Sequence, residues 1–346
     1  MTPPASITIR RPDDWHVHLR DDEMLNAVAP YTANVFARAI VMPNLKKPVV
    51  CTSDGIAYRE RILKATAGTG FNPLMTAYLT DTTSPTDIAK GFNEGVFVAA
   101  KLYPAGATTN SASGVTDINK ISAVIEKMEE LAMPLLVHGE VTSPDIDVFD
   151  REAVFIDRVL APLLKKHQGL KVVFEHITTS QAVQFVRSAG PKVGATVTIH
   201  HMMINRTDMF KGGIRPHLYC LPVAKREQHR LALVEAATSG EKCFFLGTDT
   251  APHSVSAKEN ACGCAGIFSA PSAIELYTQV FDEVGALENL EAFASINGPT
   301  FYGMKINVEK ITLKRENWKV PEIIEVPGAG GVVPFMAGEE IQWKIS

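Results

Sequence analysis

Short runs of β-branched and apolar residues recur along the chain. Each is followed by a stretch whose apolar positions return every three or four residues. The runs predict eight strands, over Asp14–Leu19, Arg38–Met42, Pro73–Leu79, Phe97–Tyr103, Pro134–Gly139, Lys171–Ile177, Ala195–His201 and Cys243–Asp249. Their near-continuous apolar character suits a parallel sheet buried on both faces. The clearest helix is Asp117–Ala132, where Ile118, Ile121, Val124, Ile125, Met128 and Leu131 fall on one face. Asp117 or Thr116 is placed to cap its start. A second helix is expected from about Lys225 to Ser239, closed by Gly240. Others are expected over Ser53–Ala65, Asp150–Lys166, Ser180–Ser188 and Pro271–Val284.

Eight strands alternating with helices predict an α/β fold, a closed (β/α)8 barrel of the TIM type, rather than a doubly wound sheet. No Gly-x-Gly-x-x-Gly follows an early strand, which removes the main support for a dinucleotide fold. Two insertions interrupt the rhythm. Pro104–Val115 is small and polar and reads as a mobile loop; Met202–Pro222 is longer and contains Gly212-Gly213. The expected organisation is one domain over residues 1–346, with the C-terminal ~40 residues packing on the barrel as short strands and turns.

Composition narrows the class. Of 346 residues, 46% are hydrophobic and 21% charged, and the formal net charge is −4. These values exclude a disordered chain, a collagen and a disulfide scaffold, and give no electrostatic footprint for nucleic acid. No stretch approaches the roughly 20 apolar residues of a membrane span. The opening Met1-Thr2-Pro3-Pro4 lacks the basic-then-apolar pattern of a secretion signal. Five cysteines, an odd count, read as reduced thiols, and the expected location is the cytoplasm.

The chemistry sits where apolar runs stop. In Asp13-Asp14-Trp15-His16-Val17-His18-Leu19-Arg20, strand alternation puts His16, His18 and Arg20 on one face and Trp15, Val17 and Leu19 on the other. Two imidazoles at i and i+2 can chelate one metal ion, or can be two hydrogen-bonded histidines of a polar loop. Strand five ends in His138-Gly139-Glu140, strand six in Glu175-His176, and strand eight in Gly247-Thr248-Asp249. In a barrel these ends converge on the face that carries active sites. Strand four ends in Lys101, an ammonium closing an apolar run. Such a lysine either snorkels to a carboxylate or serves the site. Two divalent cations, a bridging hydroxide and ionised Asp249 sum to +2, and an ammonium would raise that. A lysine carboxylated by CO2 is a carbamate of charge −1. It lowers the total and offers two oxygens to metals about 3.5–4 Å apart.

Taken together, His16-Val17-His18, Lys101, His138, His176 and Asp249 resemble the binuclear metal site of the amidohydrolase superfamily. More narrowly, the chain is similar nearly end to end to the dihydroorotase family in its short bacterial, homodimeric form. Its most specific stretches are Arg11–Arg20, Val41–Leu45, Ala100–Pro104, Leu136–Glu140, Phe174–Thr179 and Gly247–His253. The resemblance implies a zinc-dependent cyclic amidohydrolase. It would interconvert L-dihydroorotate with N-carbamoyl-L-aspartate, a step of de novo pyrimidine (UMP) biosynthesis.

By the same resemblance, two Zn2+ ions are bridged by N6-carboxylated Lys101 and a hydroxide. His16, His18 and Asp249 bind the more buried ion, His138 and His176 the other. Asp249 is the general base and then acid. Arg20, Asn44 and His253 grip the substrate carboxylate, and backbone groups near Leu221 and Ala265 read the ring edge. Thr108 and Thr109 close over the substrate. The expected partners are a small-molecule substrate and a second copy of the chain, with no nucleic acid or membrane.

The residues support several of these roles independently. Arg20 shares its strand face with both early histidines, and a guanidinium there can hold a carboxylate bidentately or form a rim salt bridge. Asn44 follows Pro43 at the end of strand two, where it faces the mouth or serves a turn. The small residues around Thr108-Thr109 suit a lid. Asp13 and Asp14 are candidates to orient the first-strand histidines. Cys262-Gly263-Cys264 is half a zinc clip without its other half, and His200-His201 suits hydrogen bonding better than a third metal. The alternatives are a hydantoinase or dihydropyrimidinase, a mononuclear deaminase, which would not need Lys101, and an inactive barrel, which would be expected to have lost a ligand.

Overall fold

The computed structural model describes residues 4–346, so the opening residues read for a secretion signal lie mostly outside it. Eight parallel strands form one sheet in chain order: β2 (Asp14–Val17), β3 (Arg38–Val41), β4 (Asn72–Tyr78), β5 (Phe97–Leu102), β6 (Leu135–Val137), β7 (Val172–Phe174), β8 (Val193–Val197) and β9 (Phe244–Leu246). The sheet closes on itself where the His18 amide donates to Thr250 O at 2.9 Å and the Asp249 amide to His16 O at 2.9 Å. Closure removes the sheet's edges and points every C-terminal strand end at one mouth.

A smaller antiparallel sheet in the order β1-β10-β13 joins the chain's two ends, from β1 (Ser6–Arg10), β10 (Lys310–Lys319) and β13 (Glu340–Ile345). Between the last two, β11 (Ile324–Val326) and β12 (Gly330–Val332) form a hairpin. The tail is thus tied to residues 6–10. The alternation Ile7-Thr8-Ile9-Arg10 carries that pairing, with Ile9 buried against Leu313 and Trp343 in the same core.

Several boundaries differ from the expectation. Helix Asp117–Ala132 is a single 3-10 turn, Ile118–Ile121, capped by the Asp117 carboxylate on the Asn119 amide, then an α-helix over Ser122–Glu130. Helix Asp150–Lys166 contains a π turn, Ile156–Leu160, just before Pro162, whose missing N–H leaves a carbonyl one turn back without its partner. Strand seven runs Val193–Val197 rather than Ala195–His201. The Thr198 hydroxyl caps a short helix, Ile199–Met203, that takes both histidines off the strand.

Trp15 does not share a face with Val17 and Leu19. Asp14 pairs with Ala39 and Val17 with Val41, so β2 holds one extra residue against β3. That bulge turns Trp15 into the barrel interior with Ile40, Leu136, Val173 and Phe245, where its ring stacks on Tyr302. Val17 and Leu19 pack outward with the helices.

Candidate active site

The strand ends bring the predicted metal ligands to one buried centre. His16 Nε2 lies 3.4 Å from His18 Nε2, and Asp249 Oδ1 lies 3.2 Å from the first and 3.0 Å from the second. The His176 ring centroid is 4.9 Å from those of both His16 and His138. Lys101 is 0% exposed, and its Nζ has no hydrogen-bond partner among the described residues.

Backbone geometry at three of these strand ends is unusual. Arg20, His176 and Asp249 have φ of 60°, 40° and 47°, the left-handed region that non-glycine residues avoid. Each such residue costs on the order of 1–3 kcal/mol, which the surrounding barrel must offset. At His176 the turn ends β7 and swings the ring into the mouth beside Glu175.

The carboxylates that steady the histidines differ from the candidates read in the sequence. Asp13 pairs with the Arg38 guanidinium, and Asp14 accepts from the His16 and Thr248 amides, holding backbone rather than imidazole. Glu175 takes the orienting role. Its Oε2 accepts from His16 Nδ1 at 2.8 Å and from the Thr196 hydroxyl at 2.6 Å. That bond fixes the tautomer and turns the Nε2 lone pair toward Asp249. Glu140 does the same kind of work for His138, its Oε2 standing 2.8 Å from Nε2. A glutamate following the buried run Val172-Val173-Phe174 was the available sequence cue.

The electrostatics match a site built for cations. Burial lowers the Lys101 pKa to about 8 against the opposing pull of Glu175 and Asp249. Burial likewise lowers His18 to about 3, so its imidazole is neutral near neutral pH. For Asp249 burial acts upward, but the charge and hydrogen bond of His16, whose own pKa Glu175 and Asp249 raise, outweigh it and hold the carboxyl well below the usual range. A metal ion would take the place of the proton between them, where three donor atoms converge within 3.4 Å. Beside them the buried Nζ of Lys101 and Nδ1 of His176 have no partner. Buried polar groups are rarely left unpaired, and this donor set fits metal ions.

Above the centre lies a small pocket lined by ten predicted residues: His18, Arg20, Asn44, Thr108, Thr109, His138, His176, Leu221, Asp249 and Ala265. Tyr103, Ala251 and Gly266 also line it and were not anticipated. His16 and Lys101 sit beneath the pocket, and His253 stands behind Arg20. The half-buried Arg20 donates from Nε to Pro252 O at 2.9 Å and from Nη2 to His253 Nε2 at 2.9 Å. Burial and the Arg20 charge push His253 down to about 2, so the ring stays neutral and can accept that bond. The Pro104–Val115 insertion lies closed over the mouth. Asn44 Nδ2 donates to Thr109 O at 3.1 Å, and the Thr109 hydroxyl to Ala265 O at 3.3 Å.

His201 bonds to the Thr198 hydroxyl and to Pro222 O, whereas neither ring nitrogen of the buried His200 has a partner. All five cysteines are free thiols, Cys262 exposed and Cys264 half-buried.

The amidohydrolase family profile matches residues 6–321. The chain belongs to that family. It is 60% identical over 342 residues to a dihydroorotase of Novosphingobium aromaticivorans, covering 99% of each chain. Its fold superposes on the crystal structure of Saccharomyces cerevisiae dihydroorotase in complex with 5-fluoroorotic acid, with TM-score 0.93 and 32% identity over 99% of each chain. Within the family the chain belongs with the dihydroorotases. An L-hydantoinase (dihydropyrimidinase) from Arthrobacter aurescens is more distant, at TM-score 0.82 and 16% identity over 98% of this chain and 82% of that one, and shares the fold alone.

Proposed function

We propose that this pocket opens the ring of L-dihydroorotate to N-carbamoyl-L-aspartate and closes it in reverse, an early step of pyrimidine synthesis in the cytoplasm. The observation that carries the reading is the convergence of three lone-pair donors beside an unpartnered buried lysine, beneath a pocket whose rim holds a guanidinium. His16, His18 and Asp249 would hold one zinc ion, His138 and His176 a second, and Lys101 as a carbamate would bridge them. Bound there, the metals would supply Lewis acidity and lower the pKa of water.

The chain's own residues do the rest. Asp249, held ionised, can take a proton from the attacking water and return it to the leaving ring nitrogen. Glu175 keeps the His16 proton on Nδ1. Arg20 offers the α-carboxylate a fixed fork, with Asn44 and His253 beside it. The closed Thr108-Thr109 segment excludes bulk water from the pocket. Ring closure consumes a proton, so acid favours synthesis and alkali hydrolysis. The working unit is a homodimer.

The test is Arg20→Met. Loss of a charge-assisted pair should raise KM for dihydroorotate about ten- to a hundredfold with kcat little changed. Steady-state kinetics that return the parental KM would remove the carboxylate clamp from this account.

A further inference from the structure

Lys258 ends the short helix Val255–Lys258 and turns inward, where it is 4% exposed. No carboxylate pairs with it among the described residues. Its Nζ donates to three main-chain carbonyls instead: Tyr219 O at 2.8 Å, Cys264 O at 2.9 Å and Gly266 O at 2.6 Å. An ammonium has three donors, and all three are committed. A buried cation with no counter-ion is costly, and burial pulls its pKa down to about 8. Nothing in the reaction described above uses this group.

The three carbonyls belong to two segments that form one wall of the pocket. One leads into Leu221 and the other surrounds Ala265, and both residues line the cavity. The Gly266 amide donates to Tyr219 O at 3.0 Å, so the segments are also tied to each other. A trans peptide points its C=O and N–H in opposite directions. With Cys264 O turned to Lys258, the Ala265 N–H faces away from the lysine. That N–H and the one of Leu221 donate to no protein group among the described residues. Ala265 O meanwhile accepts from the lid hydroxyl of Thr109. The wall has little slack on its far side. Gly266 has φ of +152°, and a Cβ there would stand 2.5 Å from Ala251 O.

We infer that Lys258 is a positioning residue for substrate. Its ammonium clamps the Tyr219–Leu221 and Cys264–Gly266 segments so that the free amides of Leu221 and Ala265 face the amide edge of the ring. The inference rests on the reading of the pocket given above. The clamp acts on ring binding, whereas Asp249 has anchors of its own, its amide on His16 O and the neighbouring Thr248 on Asp14. Replacing the ammonium frees the Cys264–Ala265 peptide to rotate and leaves buried carbonyls without a donor.

The test uses metal-loaded parental, K258M and K258R proteins. The readouts are KM and kcat for L-dihydroorotate, the Kd of 5-fluoroorotic acid by calorimetry, metal content and melting temperature. In K258M, KM and Kd should rise together about ten- to a hundredfold, with kcat within about threefold of parental and metal content unchanged. K258R keeps the charge but not the three-carbonyl geometry, and its KM and Kd should fall between the two. If K258M does not fold, K258R alone should still show weaker ring binding at parental metal content. Parental KM and Kd in the folded variants would overturn the inference, as would loss of kcat and metal content alongside binding. A parental protein inactive on dihydroorotate would instead overturn the reading of the pocket itself.

Discussion

Lys101→Ala should abolish most turnover, by about a thousandfold or more, and should leave the protein unable to retain two metal equivalents. The expectation follows from position. Lys101 is the penultimate residue of β5, its Nζ is buried and unpartnered among the described residues, and its charge acts on both His16 and His176. As an ammonium it would repel any cation the histidines hold. As a carbamate it adds −1 charge and two donor oxygens between the two ligand sets. Alanine would remove that proposed bridge and leave a void among His16, His176 and Tyr103. Metal analysis after gel filtration, run with kinetics, checks both halves. An alanine variant with two retained metals and full activity would show that Lys101 bridges nothing.

Asp249→Asn should cost about a hundred- to ten-thousandfold in kcat. The amide is nearly isosteric but cannot take up a proton, and it would offer a weaker oxygen to an ion held with His16 and His18. The measurement is kcat against pH for both proteins. An asparagine variant within a few-fold of the parental kcat would take the proton transfer away from this residue.

Much of this site was legible because barrel strands are simple. Each is a short buried run, and a polar residue that stops it must face the mouth. That logic places His138, His176, Asp249 and Lys101 without coordinates. It fails where local geometry departs from alternation. The bulge in β2 sends Trp15 inward although period two assigns it to Val17's face. The cap at Thr198 moves His200 and His201 from a strand to a helix. Glu175 was hidden by the same rule, since it neighbours His176 and alternation points the two apart. The turn at His176, with φ of 40°, brings both to the centre.

Contacts between loops were the least legible. Lys258 reaches three carbonyls from two loop segments, and no spacing in the sequence announces a side chain that binds main chain. β1 could have been read from the alternation in residues 6–10, but its partner lies some three hundred residues away in β10. Period alone cannot supply a pairing at that distance.

The most direct measurement is turnover of L-dihydroorotate at alkaline pH by the purified protein supplied with zinc and bicarbonate, with dihydrouracil as the parallel substrate. Dihydrouracil has the same ring but lacks the carboxylate that Arg20 would hold. The account predicts rapid loss of dihydroorotate and turnover of dihydrouracil slower by at least about a thousandfold. Equal or faster turnover of dihydrouracil would leave the metal centre standing and contradict the assignment of the pocket above it.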